Sequence, residues 1–310
     1  MNIITQNAYH RQRMISYYEK NGKSATKTAI RYKVSRKTLY KWLGRYDGTL
    51  ESLKDRSHRP HRSPKAHNEE EIKMIIRALK KVKWRDLLLA YQRLKTRGYS
   101  RHYGSFKRVA NRLKSLRPAK NVVKKKSKPY AKALYPGQKV QIDVKYVPSE
   151  CVVGGKAYYQ FTAVDECTRW TYRQMYDEKS SYCAKQFLDE FLAAAPFRVK
   201  KIQTDNGTEF TNALIVSNPK TAHKTLFEQA LIDRGIVYQR IRIATPRHNG
   251  KVERMHRTDQ MRFYDSLKMF SLADGRKQLA LYNKKSNGYI MTCLDMKSPN
   301  EILKELMQTI

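Results

Sequence analysis

Three carboxylates stand where an acid needs a reason: Asp143, Asp205 and Glu253. Asp205 opens the run Asp205-Asn206-Gly207-Thr208-Glu209-Phe210, directly after Val199–Thr204, where β-branched and long polar residues segregate as in a buried strand. Asn-Gly turns the backbone sharply, so the acid leaves the sheet edge without being buried unpaired. Asp143 lies inside Lys139–Val147, where Val140, Ile142, Val144 and Tyr146 share one face and Asp143 takes the other. A strand interior disfavours Asp, so a partner or a metal must offset the cost. Glu253 falls in the first turn of a helix that starts near Lys251, behind a loop punctuated by Pro246 and Asn249-Gly250. Taken singly, each has an ordinary explanation: a plain turn for Asp205, a charged partner for Asp143, the helix dipole for Glu253. Taken together, they supply hard oxygen donors for Mg²⁺ or Mn²⁺, ions that assist in-line displacement at a phosphodiester.

The elements between these acids follow a definite order. Strand Lys139–Val147 and the turn Gly154-Gly155 precede strands Ala157–Val164 and Thr168–Met175. Helix Ser181–Ala194, strand Val199–Thr204, helix Ala222–Arg234, strand Val237–Ile241 and the helix from Lys251 complete the series. Three antiparallel strands, then helix, strand, helix, strand, helix, is the order of the ribonuclease-H-like α/β fold.

The ordered triple Asp, Asp, Glu resembles the DDE triad of the retroviral-integrase superfamily, and within it the chain resembles single-reading-frame bacterial insertion-sequence transposases. The matching runs are Gln141-Ile142-Asp143, Ala163-Val164-Asp165-Glu166-Cys167-Thr168-Arg169, Asp205–Phe210 and Pro246–Arg254. The resemblance implies Asp143 as a bridging ligand of two Mg²⁺ or Mn²⁺ ions, Asp205 holding one ion and Glu253 the other. It implies cleavage at element ends by water, then attack of the freed 3′-hydroxyl on target DNA, without a covalent protein intermediate. Between Asp205 and Glu253 lie 47 residues, more than the compact integrase spacing, which implies an inserted loop around Thr211–Lys224. His248 and Asn249 are expected at DNA or in the loop before Glu253. Arg254, His256 and Arg257, beside Glu253, are expected at the DNA backbone. Three nearby acids have plainer roles: Asp165 pairing with Arg169, with Glu209 and Asp259 as secondary alternatives for a ligand.

Ahead of the core, the chain reads as all-α. Residues 1–48 form a helix-turn-helix domain: helices over about Tyr9–Lys20, Ala25–Tyr32 and Arg36–Tyr46, with caps at Ser24 and Ser35. Arg36, Lys37, Tyr40 and Lys41 lie on the exposed face of the third helix, where a major-groove reader needs them. Lys33 occupies the turn position where Gly is usual. Residues 49–68 read as a basic linker, with Arg56, Arg59 and Arg62 either following a minor groove or serving as a tether. Residues 69–117 repeat the helical theme in Glu69–Lys80, Trp84–Thr96 and Ser105–Leu116, the last exposing Lys107, Arg108 and Arg112. A second basic linker at 118–137 leads to the core at 138–268, and the C-terminal segment, 269–310, reads as packing.

The 310 residues carry 64 Lys and Arg against 27 Asp and Glu, a net charge of +37. Such a field favours a polyanion, and double-stranded DNA is the expected partner. No run of apolar residues reaches membrane-spanning length, and Met1–Asn7 lacks a secretory core; the expectation is a cytoplasmic, nucleoid-associated bacterial protein. Cys151, Cys167, Cys183 and Cys293 form no CxxC pair, so packed thiols and no structural zinc are expected. The function implied is transposition: recognition of terminal inverted repeats, end cleavage and joining, with at least a dimer to pair two ends. A DNA-binding regulator that has lost catalysis and a nuclease for RNA–DNA hybrids are the alternatives.

Overall fold

The computed structural model describes residues 3–56, 66–113, 132–213, 223–242 and 246–308. Their contacts group into two units, Met1–Ala66 and His67–Ile310. In the first, α1 (Ile3–Lys20), α2 (Ala25–Tyr32) and α3 (Arg36–Leu43) close around Met14, Ile15, Leu39 and Trp42. The Ser24 side chain accepts from the Lys27 amide and Ser35 from that of Thr38, so both short helices start at capped amides. Lys33 takes the left-handed conformation, φ 52°, and donates its amide to the last carbonyls of α2. The tight turn therefore forms without the usual glycine. Arg36, Lys37, Tyr40 and Lys41 are all exposed on α3. The unit runs past the expected boundary at 48: Leu53 is fully buried, and Arg11 bonds both the Leu53 carbonyl and the Asp55 carboxylate. The segment expected as a linker thus begins as part of the folded unit. Arg56 is exposed, while Arg59 and Arg62 lie outside the described residues.

In the second unit, α4 (Glu69–Lys81), α5 (Leu87–Lys95) and α6 (Tyr103–Leu113) share a core of Ile75, Leu79, Tyr91, Leu94 and Phe106. Lys83 and Trp84 adopt positive φ, so α5 starts at Leu87 behind its Asp86 cap rather than at Trp84. Lys107, Arg108 and Arg112 are exposed on α6. The sheet contains β1 (Val140–Tyr146), β2 (Tyr159–Asp165), β3 (Thr171–Tyr176), β4 (Lys201–Thr204) and β5 (Val237–Arg240), in the order β3-β2-β1-β4-β5. β1, β2 and β3 pair antiparallel, whereas β4 lies parallel to β1 and to β5. On one face α7 (Ser181–Ala194) and α8 (Leu226–Asp233) bury Phe187, Phe191, Phe227 and Leu231 against Val140, Ile142 and Phe161. On the other lie α9 (Gly250–Arg262) and α10 (Leu272–Ser286); α11 (Pro299–Gln308) ends the chain.

The face toward α9 and α10 is polar, because the two-residue period of β1 and β2 directs Gln141, Asp143, Lys145, Gln160 and Thr162 there. At its centre Arg173 and Asp259, both fully buried, pair at 2.7 Å. Asp259 also accepts from Gln160 and Tyr282, and Arg173 donates to Ser286. This network joins β2, β3, α9 and α10, so the C-terminal segment is part of the core's packing. It also gives Asp259 a structural role. Removing one partner of such a pair strands a buried charge, so Asp259→Ala should lose about 3–5 kcal/mol in urea unfolding. The double change Asp259→Leu with Arg173→Met should recover most of that loss.

Candidate active site

Two strands and one helix assemble the acids. β1 and β4 run parallel with Gln141 opposite Gln203. Each glutamine stands two residues before an aspartate, Asp143 or Asp205, so strand alternation directs glutamine and acid to the same side. Both glutamines are buried, and both donate to one acceptor, the His248 carbonyl, at 2.9 and 2.8 Å. The Gln141 side-chain oxygen also accepts from the backbone amides of Lys251 and Val252. The first amides of a helix have no acceptor within the helix itself, and Gln141 serves two of them here. Glu253 follows within the same turn. The two strands that carry the aspartates therefore also fix where the helix carrying the glutamate begins. The Gln-x-Asp pattern is present twice in the sequence, but its meaning as a clamp depends on parallel pairing that spacing alone does not reveal.

Local turns fix the remaining geometry. Asp205 accepts the Gly207 amide in an Asx turn at 3.1 Å, and Asn206 donates to the Ile241 carbonyl. Glu209 folds back over Gly207: a Cβ added there would meet the Glu209 carboxyl group at 2.6 Å. Glu209 is buried and pairs with Lys179 at 3.2 Å, while its second oxygen has no hydrogen-bond partner. Burial, opposed by Lys179, raises its pKa.

Asp143 registers the convergence. Burial, followed by the nearby Asp205 carboxylate, pushes its pKa up to about 7; Glu253 and Glu209 add to the rise, and the Val144 amide opposes it. The four acids thus share one electrostatic neighbourhood. Among the described residues, no three acidic, His or Cys side chains are gathered tightly enough to hold an ion as they stand. The donor set nevertheless fits a hard divalent cation: carboxylate oxygens on a common edge, with a repulsion that positive charge would relieve. Asp205 and Glu253 are both partly exposed.

Several expectations need correction. His256 does not reach outward. It faces the sheet, contacts Thr162 at 3.1 Å and lies 3.6 Å from Asp143. Burial lowers its pKa to about 4, so it is neutral at pH 7. Asn249 is buried too and donates to the Ile142 carbonyl, the loop-shaping one of the two roles expected of it. Asp165 does not pair with the Arg169 side chain; its carboxylate accepts from the Gly137 amide and from the Thr168 amide and hydroxyl. His248 is half-buried, with its carbonyl engaged in the clamp; Arg254 and Arg257 are exposed. Cys293 is the exposed cysteine of the four. The loop proposed around Thr211–Lys224 lies mostly outside the described residues.

Residues 134–246 match the family described as "Integrase core domain", and residues 10–61 match "Helix-turn-helix domain". The chain carries an integrase core behind a helix-turn-helix domain. The match to the integrase core includes Asp143 and Asp205 and stops just before Glu253, whose place beside them follows from the glutamine clamp. The protein named "Putative integrase ORF3" of Spiroplasma virus SpV1-C74 is 36% identical over 122 residues, which cover 38% of this chain and 33% of that one. The chain thus spans about a third of that relative's length. Among solved structures, a simian T-cell lymphotropic virus intasome in complex with a PP2A regulatory subunit is 15% identical, with TM-score 0.45, covering 66% of this chain and 68% of that one. The catalytic core domain of BIV integrase is 19% identical, with TM-score 0.40, covering 56% of this chain and 97% of that one. No helix among the described residues of this integrase-core chain is long and apolar enough to cross a membrane.

The Asp143 shift has a testable sign. Its pKa is higher folded than unfolded, so from about pH 4 to pH 7 the unfolded chain holds fewer protons than the native one. Native stability contributed by this group is therefore lost as pH rises through that window. His256 acts oppositely between about pH 4 and 6.5, so the wild-type profile mixes the two. Asp143→Asn isolates the first: in metal-free buffer at pH 8 it should be more stable than wild type by roughly 2–4 kcal/mol, with the difference vanishing near pH 4. Urea unfolding at both pH values checks this.

Proposed function

We propose that the protein is a DNA transposase of the integrase type, using Asp143, Asp205 and Glu253 as catalytic and metal-holding residues. The observation that carries the reading is the clamp: one pair of parallel strands presents both aspartates and also anchors the helix of the glutamate. The charge of +37 and the helix-turn-helix domain support DNA as the substrate. Arg36, Lys37, Tyr40 and Lys41 would read the terminal inverted repeats in the major groove. Arg56, Lys107, Arg108, Arg112, Arg254 and Arg257 would hold phosphates.

Asp143, Asp205 and Glu253 would hold two Mg²⁺ or Mn²⁺ ions, which supply Lewis-acid activation of the nucleophile and stabilisation of the leaving oxygen. The chain's own residues do the rest. The clamp would fix the backbone positions from which the acids reach the ions, leaving their side chains to close on them. Neutral His256 packs beside Asp143 without competing as a cation for its carboxylate. Lys179 offsets the charge of Glu209, which lowers repulsion around Asp205. End cleavage would free a 3′-hydroxyl, and that hydroxyl would attack target DNA. Pairing two ends requires at least two copies of the chain.

Labelled duplexes bearing the element's ends, incubated with Mg²⁺ or Mn²⁺, test this reading. The expected outcome is 3′-end nicking and joined products, reduced at least about a thousandfold by Asp205→Asn or Glu253→Gln. Tight, salt-sensitive binding of the same ends without cutting by the wild type would point to a DNA-binding regulator instead.

A further inference from the structure

A cleft of about 420 Å³ opens along α9, bounded by α5, the β2–β3 turn and residues 290–293. It uses a different stripe of α9 from the one carrying Glu253 and His256: Lys251, Arg254, Met255, Thr258 and Arg262 line it. Asp143, Asp205 and Glu253 are not among its lining residues. No acid lines the cleft among the described residues, whereas four cations do, with Arg169 joining Lys251, Arg254 and Arg262. Lys251 is paired with Glu166 and Arg262 with Asp86, from behind. The surplus charge therefore rests on Arg169 and Arg254. Arg254 is exposed, with no acidic partner among the described residues. Arg169 sits at φ +65°, a left-handed conformation that costs a non-glycine residue energy. Between these cations runs an apolar strip of Leu88, Met255, Ile290 and Met291.

We propose that this cleft seats one unpaired nucleotide of a DNA strand, with its phosphate at Arg169 and Arg254 and its base on the Met255 and Met291 side of the strip. The inference rests on the DNA-acting reading above. The volume lies in the ~300–1,000 Å³ range of small-ligand sites. Guanidinium groups fork onto phosphate oxygens. Thioether and aliphatic side chains suit the flat face of a base. A paired base inside a duplex has both faces stacked, so the interior of an intact duplex offers the cleft phosphates and base edges but no base face. A concave site with both cations and an apolar strip matches the phosphate and base of a nucleotide that has left the stack.

Cys293, exposed at the rim, is a built-in reporter. The full chain would be treated with iodoacetamide, and modification at Cys293 followed by mass spectrometry. Three additions would be compared: a duplex with a short single-stranded overhang, the same duplex blunt, and inorganic phosphate. Fluorescence anisotropy would report DNA binding in parallel. The overhang should slow Cys293 alkylation at least about tenfold, and the blunt duplex and phosphate each less than about threefold. Arg169→Gly relieves the backbone conformation but removes the guanidinium bond to the Glu166 carbonyl; with the variant still folded by its melting curve and still binding both duplexes, the overhang's effect should drop below about threefold. Equal slowing by both duplexes, or by phosphate alone, would overturn the proposal, as would no slowing while both duplexes bind. Absence of DNA binding in anisotropy would instead remove the functional reading on which the proposal rests.

Discussion

One carbonyl oxygen organises the site. His248 O accepts from Gln141 on β1 and Gln203 on β4, and Gln141 simultaneously takes two first-turn amides of α9. Both glutamine side chains are buried, and a buried polar group left unpaired costs roughly 1–3 kcal/mol. The start of α9 cannot slide along the sheet without breaking several such bonds at once. The acid on its first turn inherits that precision. The catalytic geometry we propose therefore depends on uncharged amides, which hold their positions while the carboxylates repel one another.

The far end of α9 is held by a different device. Asp259 and Arg173 form a fully buried pair that also engages Gln160, Tyr282 and Ser286. Arg262 reaches Asp86, which caps α5. The helix is thus pinned at its start by glutamines and at its end by charges, and its three stripes serve separate neighbours. Val252 and Met255 enter an apolar cluster with Val164, and Met255 at its border also lines the basic cleft. His256 meets β1 and β2, and Lys251, Arg254 and Arg262 border the basic cleft.

Much of this was legible in the sequence, for physical reasons. Helix caps act locally, so Ser24 and Ser35 mark helix starts from the residues alone. Strand alternation correctly separated Val140 and Ile142 from Asp143, since its two-residue period needs no knowledge of partners. The inward turn of His256 is not legible in the sequence. It is a polar residue near an acid, and only the packing of α9 on β1 and β2 turns it toward the sheet. The placement of Glu209 is not legible because nothing local says that its side chain folds back over Gly207. The start of α5 was misplaced because two consecutive positive-φ residues, Lys83 and Trp84, are not types that announce such a turn.

The central claim is that the glutamines matter through the acid they place. Mn²⁺ affinity, measured by calorimetry on wild type, Gln203→Leu, Glu253→Gln and the double variant, tests it in one cycle. Leu keeps most of the buried volume but not the bond to the His248 carbonyl, so a urea unfolding curve for each variant separates loss of fold from loss of affinity. The account predicts that Gln203→Leu alone weakens Mn²⁺ about tenfold, yet adds less than about twofold once Glu253 is already changed. Additive losses, or an unchanged affinity in Gln203→Leu, would contradict it.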